Sequence, residues 1–361
     1  MITQANVISV VTSYEEFQKF LIVDGKYLQM MSLLIPISFD VVLCMSQLFD
    51  YYIYSVYKFF VQETENMSPH VNPIILRATI KRIHDNLILS ESEIADGYNP
   101  EYHRDKVVAA HLSPLVNLDS SKMFGLPERV VAVESVIYLA EQFVFLQQYL
   151  ENSLPSNKKL FLQQFFSQTV LSAIEIRKPV FLPVPWQSIN FNQVLGLMSE
   201  VQWDIGDIMS QHSAYVDALL VELSNFSHNV GEIAKEIPIP RETYDVLWSH
   251  CIRMSNHLFV EGFSLAKKCS NEGRALMQLD FQHFLTKLEK ITELRPVPWK
   301  EHVEAYVKAF YLPETTLDSW VVEHHEYSSK QLIQLVNCMS MTRRGRQRLV
   351  NIIEENDKLK R

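Results

Sequence analysis

Glycine is scarce here, with nine residues in a chain of 361. Phosphate-gripping loops of the GxxxxGK[ST] and GxGxxG kinds need glycine where the backbone must approach the ligand, and neither pattern occurs. The nucleophile elbow GxSxG and the zinc-peptidase HExxH are missing as well. Acidic residues are scattered at solvent spacing rather than paired among apolar ones. No catalytic constellation and no cofactor is therefore expected. Cysteine is also sparse: Cys44, Cys251, Cys269 and Cys338 lie far apart and form no CxxC pair. They read as reduced, buried thiols of a cytosolic protein. Positive charge is in deficit, with a formal net charge of −9. That excludes nucleic acid as the expected partner, since such binders carry a basic face. No basic start followed by an apolar core opens the chain, so no secretory signal is expected. The two N-x-S matches, at Asn66 and Asn225, read as chance.

Within the stretch Tyr27 to Phe60, no uninterrupted apolar run reaches the ~20 residues a membrane-spanning helix needs. The greasiest stretch, Tyr27 to Phe60, is interrupted by Asp40, Asp50 and Lys58. Its polar positions recur at helical steps: Gln29, Ser32, Pro36, Asp40, Gln47, Asp50, Lys58. This is a narrow wet stripe on an otherwise apolar helix, the pattern of a helix buried among others. Pro36 starts or kinks it, because proline removes a backbone donor and clashes with the preceding turn.

Scarce glycine and long periodic segments favour helices throughout; the fold expected is all-α. A helix is predicted from Ile74 to about Leu89. Residues 90–122 show little periodicity and read as a long mobile loop. Pro127 suits the first turn of the next helix, with Val130, Val133, Ile137, Ala140, Val144 and Tyr149 as its core stripe. A further helix follows Pro155. Pro179, Pro183 and Pro185 rule out an unbroken helix through "KPVFLPVPW" and mark a domain boundary. The expected domains are 1–178, with the loop, and 187–361.

Apolar residues then recur at steps of three and four from Val194 through Met198, Val201, Ile205, Ile208, His212, Tyr215, Leu219, Leu223, Phe226 and Val230 to Ile233. This spacing predicts one helix of ~40 residues, roughly 60 Å long. Its length suggests an elongated rod. A second long helix is predicted from Glu242 to Lys268. Shorter ones follow over Trp299–Tyr311, Glu314–His324, Ser329–Cys338 and Arg343–Asn356, with Ser328 and Gln331 as a capping box.

His250, Cys251 and His257 are the nearest approach to a metal motif. Two turns along a helix would put the histidines ~10 Å apart, too far for one zinc, so no metal site is expected. His324 and His325 read as a helix end, near its negative dipole. His212, on the apolar seam, reads as a satisfied core histidine. One local charge feature stands out: Arg343, Arg344, Arg346 and Arg348 fall within "TRRGRQR" and precede the amphipathic run Leu349, Val350, Ile352, Ile353. Basic residues oppose the dipole at a helix start. The cluster is the candidate contact for anionic lipid or an acidic partner, at ~1 kcal/mol per basic residue near a membrane surface.

Several long segments, among them "LPERVVAVES", "FLQQFFSQTV", "WDIGDIMSQHSAYVDALL", "KKCSNEGRALMQLDFQHFLTKLEKIT", "RPVPWKEHVEAYVKAFYL" and "EYSSKQLIQLVN", together resemble the C-terminal region of the syndetin family. The resemblance runs from about Gly25 to the end and is weak over residues 90–122. It implies tandem helical bundles stacked into a rod, as in the subunits of multisubunit tethering complexes. It implies a non-enzymatic role in tethering vesicles to endosomes and recycling cargo to the plasma membrane, on the cytosolic face of recycling endosomes or the trans-Golgi network. It implies that the N-terminal coiled-coil region, which joins the tethering subunits shared between the EARP and GARP complexes, lies outside this chain, which is expected to be a C-terminal fragment. The partners left to it are SNAREs, small GTPases, a WD-repeat adaptor or an anionic membrane surface.

Overall fold

The computed structural model describes residues 37–61, 73–90, 106–113, 116 and 118–360, with Gly25, Lys26 and Gln29 before them. Pro36 and the start of the apolar stretch lie outside the described residues, as do residues 91–105 of the long loop. The described residues are helical and contain no strand; a lone parallel bridge joins Ile88 to Val107. The fold is all-α. By proximity along and across the chain it divides into two compact units, residues 1–187 with 233–247, and residues 188–232 with 248–361.

The first unit is built on α1 (Ser38–Val61), α2 (Ile74–Leu87) and α3 (Leu126–Ser153). Short helices α4 (Lys159–Phe165), α5 (Arg177–Phe181) and α6 (Pro183–Ser188) follow. Helix α1 carries Asp40 in its first turn and Lys58 in its last, complementing the helix dipole. It is buried nearly all round. Phe49, Tyr52, Ile53 and Val56 are in the core, and Phe49 meets Phe143 and Phe165 at 5.2 and 6.2 Å between ring centres. One residue of its polar stripe is met from inside the protein. Asp50 accepts both arms of the Arg82 guanidinium, at 3.1 and 3.2 Å, and the Thr169 hydroxyl at 2.9 Å. A π turn at Phe166–Val170 places Thr169 there.

Arg129, 4% exposed, joins three segments. Its guanidinium donates to the carbonyls of Phe124, Phe60 and Val180 at 2.9, 3.0 and 2.6 Å, and lies 4.9 Å from the Phe60 ring centre. A cation thus satisfies a carbonyl in the last turn of α1, where the dipole is negative. Described residues of the long loop are tied to the same unit. Tyr51 donates to the Val108 carbonyl at 3.0 Å, and Val107 exchanges backbone bonds with Leu87 and Leu89.

One expectation for this unit needs correction. The core stripe of α3 holds for Val130, Val133, Ile137 and Ala140 but then passes to Phe143 and Leu150; Val144 and Tyr149 are exposed. Apolar residues run round this helix, so their spacing does not select one face. The proline-rich stretch is, as expected, not one unbroken helix: it breaks at Leu182. Pro179 sits in the first turn of α5, and Pro183 and Pro185 in that of α6, where a missing donor costs nothing.

The second unit contains α7 (Phe191–Ser199) and most of α8 (Ala214–Glu236) and α9 (Arg241–Ser264). It continues through α10 (Asn271–Thr292), α11 (Glu301–Ala309), α12 (Glu314–Glu323), α13 (Ser329–Cys338) and α14 (Arg343–Lys360). Phe259 is its central side chain, with Tyr215, Phe263, Phe281 and Phe284 rings within 5.9 Å. The Ser328 capping box is present with both reciprocal bonds, and the Gln331 amide also donates to Glu261 at 2.8 Å.

The predicted 40-residue helix is two helices. Residues 201–213 are not helical, and Ile208, placed on the buried seam by its spacing, is 79% exposed. The backbone groups here bond across the fold instead of along a helix. Ser270, the N-cap of α10, donates its N–H to the Trp203 carbonyl at 3.0 Å, and its hydroxyl bonds both N–H and C=O of Ile205. Trp203 is buried edge-on against Phe263. Gly273 makes the approach possible: a Cβ there would sit 1.8 Å from the Trp203 carbonyl oxygen. Asp204, Gly206 and Asp207 lower helix propensity at the same place. From Tyr215 through Leu219, Leu223, Phe226 and Val230 the seam is buried as its period requires.

Candidate interaction surfaces

Helix α3 is long and apolar enough to cross a membrane, and half of its most apolar window is buried within the protein. Its other side is unusual for a solvated face. Tyr138, Phe145 and Tyr149 fall at steps of seven and four, which superimpose on one helical face, and all are exposed, Phe145 at 82%. Beside them stands Val144, also exposed. Aromatic side chains on a rigid helix offer large contact area at small entropic cost, the composition of interface hot spots.

Helices α1 and α2 frame a groove of about 380 Å³ lined by Tyr54, Tyr57, Lys58, Arg77, Ile80, Lys81 and His84. Arg77, Lys81 and His84 come from one face of α2 at steps of four and three. His84 Nδ1 lies 3.2 Å from the Asp85 carboxylate. Ile74 and Ile75, 84% and 63% exposed, open the same helix.

The C-terminal arginines separate into two pairs. Arg343 and Arg344 are exposed on the first turn of α14. Arg346 donates to the Met339 carbonyl at 3.1 Å, and Arg348 pairs with Asp318 at 2.9 Å. The second pair holds α14 to the rest of its unit, which leaves Arg343 and Arg344 as the half directed outward.

The histidines singled out by sequence have separate surroundings. His250 and Cys251 are buried, and burial pushes the Cys251 thiol well above its usual range, so it is held as the neutral thiol. His257 is exposed, with its ring 4.8 Å from that of His302. His324 is the C-cap of α12; its Nδ1 meets the Trp320 carbonyl at 2.9 Å and its ring stacks on Trp320. His212 is not a core residue of a helix. It lies in the break before α8, its side chain 23% exposed, with Nε2 3.0 Å from Asp217 and its ring stacked 3.7 Å from His283.

Both unanticipated surfaces left a trace in the sequence. The aromatic positions 138, 145 and 149 and the basic positions 77, 81 and 84 are each spaced for one face. Neither stands out in composition, because apolar and charged neighbours surround them.

What these elements define is an all-α protein of helical bundles that presents apolar and basic surfaces on its helices. A family model described as syndetin, C-terminal, matches residues 123–354. Syndetin of Rattus norvegicus, of Mus musculus and of Gallus gallus is in each case 49% identical over 346 residues, covering 93% of this chain. The chain belongs to the syndetin family. It spans about a third of the length of these relatives, 36%.

Proposed function

We propose that this chain is the C-terminal interaction region of a vesicle-tethering subunit, acting without catalysis in endosomal recycling to the plasma membrane. Its place is the cytosolic face of recycling endosomes, and its two domains are residues 1–178 and 187–361. The observation that carries this reading is the syndetin match over residues 123–354 together with 49% identity over 346 residues. The exposed stripe Tyr138, Phe145, Tyr149 supports it, since a tether works by docking surfaces. A SNARE, a small GTPase or a WD-repeat adaptor is the class of partner that this stripe would receive. Subunits shared between the two tethering complexes join the protein elsewhere.

The test is proximity labelling in cells with the chain, compared with a Phe145→Asp, Tyr149→Asp variant and with full-length syndetin. The expected result is enrichment of endosomal fusion and tethering proteins that the variant loses. Labelling no different from that of an unrelated helical protein overturns the reading.

A second reading, contact with anionic membrane, is favoured by the basic groove of Lys58, Arg77, Lys81 and His84 and by the outward pair Arg343 and Arg344. Phosphoinositide vesicles added to the purified chain test it. Absence of salt-sensitive co-sedimentation sinks it.

A further inference from the structure

The break between α7 and α8 brings together three side chains that the sequence keeps apart. His212 ends the non-helical segment, Asp217 lies in the first turn of α8, and His283 projects from α10. Their donor atoms all lie within 4.8 Å of one another. The two imidazole rings stack with centres 3.7 Å apart and planes 12° from parallel, and His212 Nε2 is 3.0 Å from the Asp217 carboxylate. We propose that His212, Asp217 and His283 form a binding site for one divalent transition-metal ion of the zinc class, with a fourth coordination position open to water or to a partner's side chain.

The donor set selects the ion. Two imidazole nitrogens and one carboxylate oxygen suit zinc and its neighbours, whereas calcium and magnesium require oxygen shells. Around a tetrahedral zinc with bonds near 2.0–2.1 Å, donors stand roughly 3.3 Å apart. An imidazole lone pair lies in the plane of its ring, so binding one ion requires the two rings to leave their stack, and all three side chains are half-buried or exposed. Burial, with His212 and Lys287, holds His283 below its ordinary range, against the opposing pull of Asp217 and Asp280.

The support beneath the three is rigid. Asp280, fully buried and one turn before His283 on α10, accepts the Ser213 backbone N–H at 2.7 Å and the Tyr215 hydroxyl at 2.8 Å. One carboxylate therefore fixes the backbone next to His212 to the helix that carries His283. Such an outer shell pre-orients metal ligands. The ion would clip the start of α8 to α10, where residues 201–213 interrupt the helical path.

The experiment is a zinc titration of the chain after chelator treatment and dialysis, at pH 7.5, by calorimetry and by cobalt substitution read in the visible spectrum. The expected result is one equivalent bound, a nitrogen-and-oxygen-ligated cobalt spectrum, and no response to magnesium. His212→Ala and His283→Ala should each weaken binding at least about tenfold, the scale seen when groups of a metal site are disturbed; Asp217→Asn should weaken it less, and His257→Ala not at all. Should a histidine variant melt early in chelator, Asp217→Asn, altering an exposed side chain, carries the test alone. No zinc uptake by the wild type overturns the proposal. So does equal binding by the His212 and His283 variants, or a loss in His257→Ala instead.

Discussion

Replacing Arg129 is expected to loosen the first unit more than removal of any other single charge in it. Its guanidinium is buried, and it serves carbonyls from three segments, at Phe60, Phe124 and Val180. Hydrogen bonds to a charged group contribute ~1.5–3 kcal/mol each, and a buried carbonyl left without its donor loses that and its hydration. Two of the three bonds are fully buried, so Arg129→Met should cost ~3–6 kcal/mol, a large part of the ~5–15 kcal/mol that holds an ordinary domain. Arg129→Ala should cost more, because the aliphatic stem also packs. Arg129→Lys should recover only part, since a point-charged ammonium cannot reach three acceptors laid out for a planar fork. The assay is native-state hydrogen exchange read by mass spectrometry over the end of α1 and over α5. A loss of ~4 kcal/mol there corresponds to roughly three powers of ten in exchange rate at about 1.4 kcal/mol per tenfold. Protection of both segments in Arg129→Met equal to wild type would show that the three carbonyls are satisfied otherwise, and the reasoning would fail.

Leu219→Asp puts a carboxylate into a fully buried position on α8 and should cost ~3–5 kcal/mol; a melting temperature equal to wild type would place Leu219 at the surface. Gly273→Ala should drive Trp203 off the α10 N-terminus, with a red-shifted tryptophan emission that disappears in a Trp203→Phe background. His302 is depressed to about 4 by burial, His257 and Arg253; because the folded state holds fewer protons than the unfolded one, stability should rise with pH through the window from about 4 to 6.5 and be lost as pH falls through it. His302→Gln should flatten that slope in denaturant titrations, and an unchanged slope would remove His302 as its source. Arg343→Glu with Arg344→Glu should lower binding to anionic vesicles about thirtyfold, from ~1 kcal/mol per basic residue, at unchanged melting temperature. Arg346→Glu with Arg348→Glu should instead lower the melting temperature, and the reverse assignment would refute the division of the cluster.

Helix ends written in short-range chemistry were legible from sequence. Ser328 and Gln331 are three residues apart, and the capping box they announce starts α13 where expected. The buried seam of α8 was legible for the same reason, since its period is local. The break at 201–213 was not, because the apolar period runs through it unbroken. What ends the helix is Ser270 and the bare Cα of Gly273, partners that only the folded chain brings near. The same holds for the arginine cluster. Its density was plain, but Asp318 and the Met339 carbonyl, which claim Arg348 and Arg346, come from other helices or their ends. The exposed stripe on α3 was hidden by the apolar residues around it, which make every face of that helix look like a core face.

Helix α3 spends its two sides differently. Phe143 and Leu150 are locked in the bundle, while Phe145 and Tyr149 look outward from the same turns. A ligand seated on the outward side therefore restrains the very backbone on which the core depends. Occupancy and stability become one linked quantity: a partner present at a hundredfold excess over its dissociation constant would raise the unfolding free energy by ~2.7 kcal/mol. The protein's melting curve can then serve as a partner detector, and residues sealed inside the bundle would report, through slower exchange, an event that takes place entirely outside it.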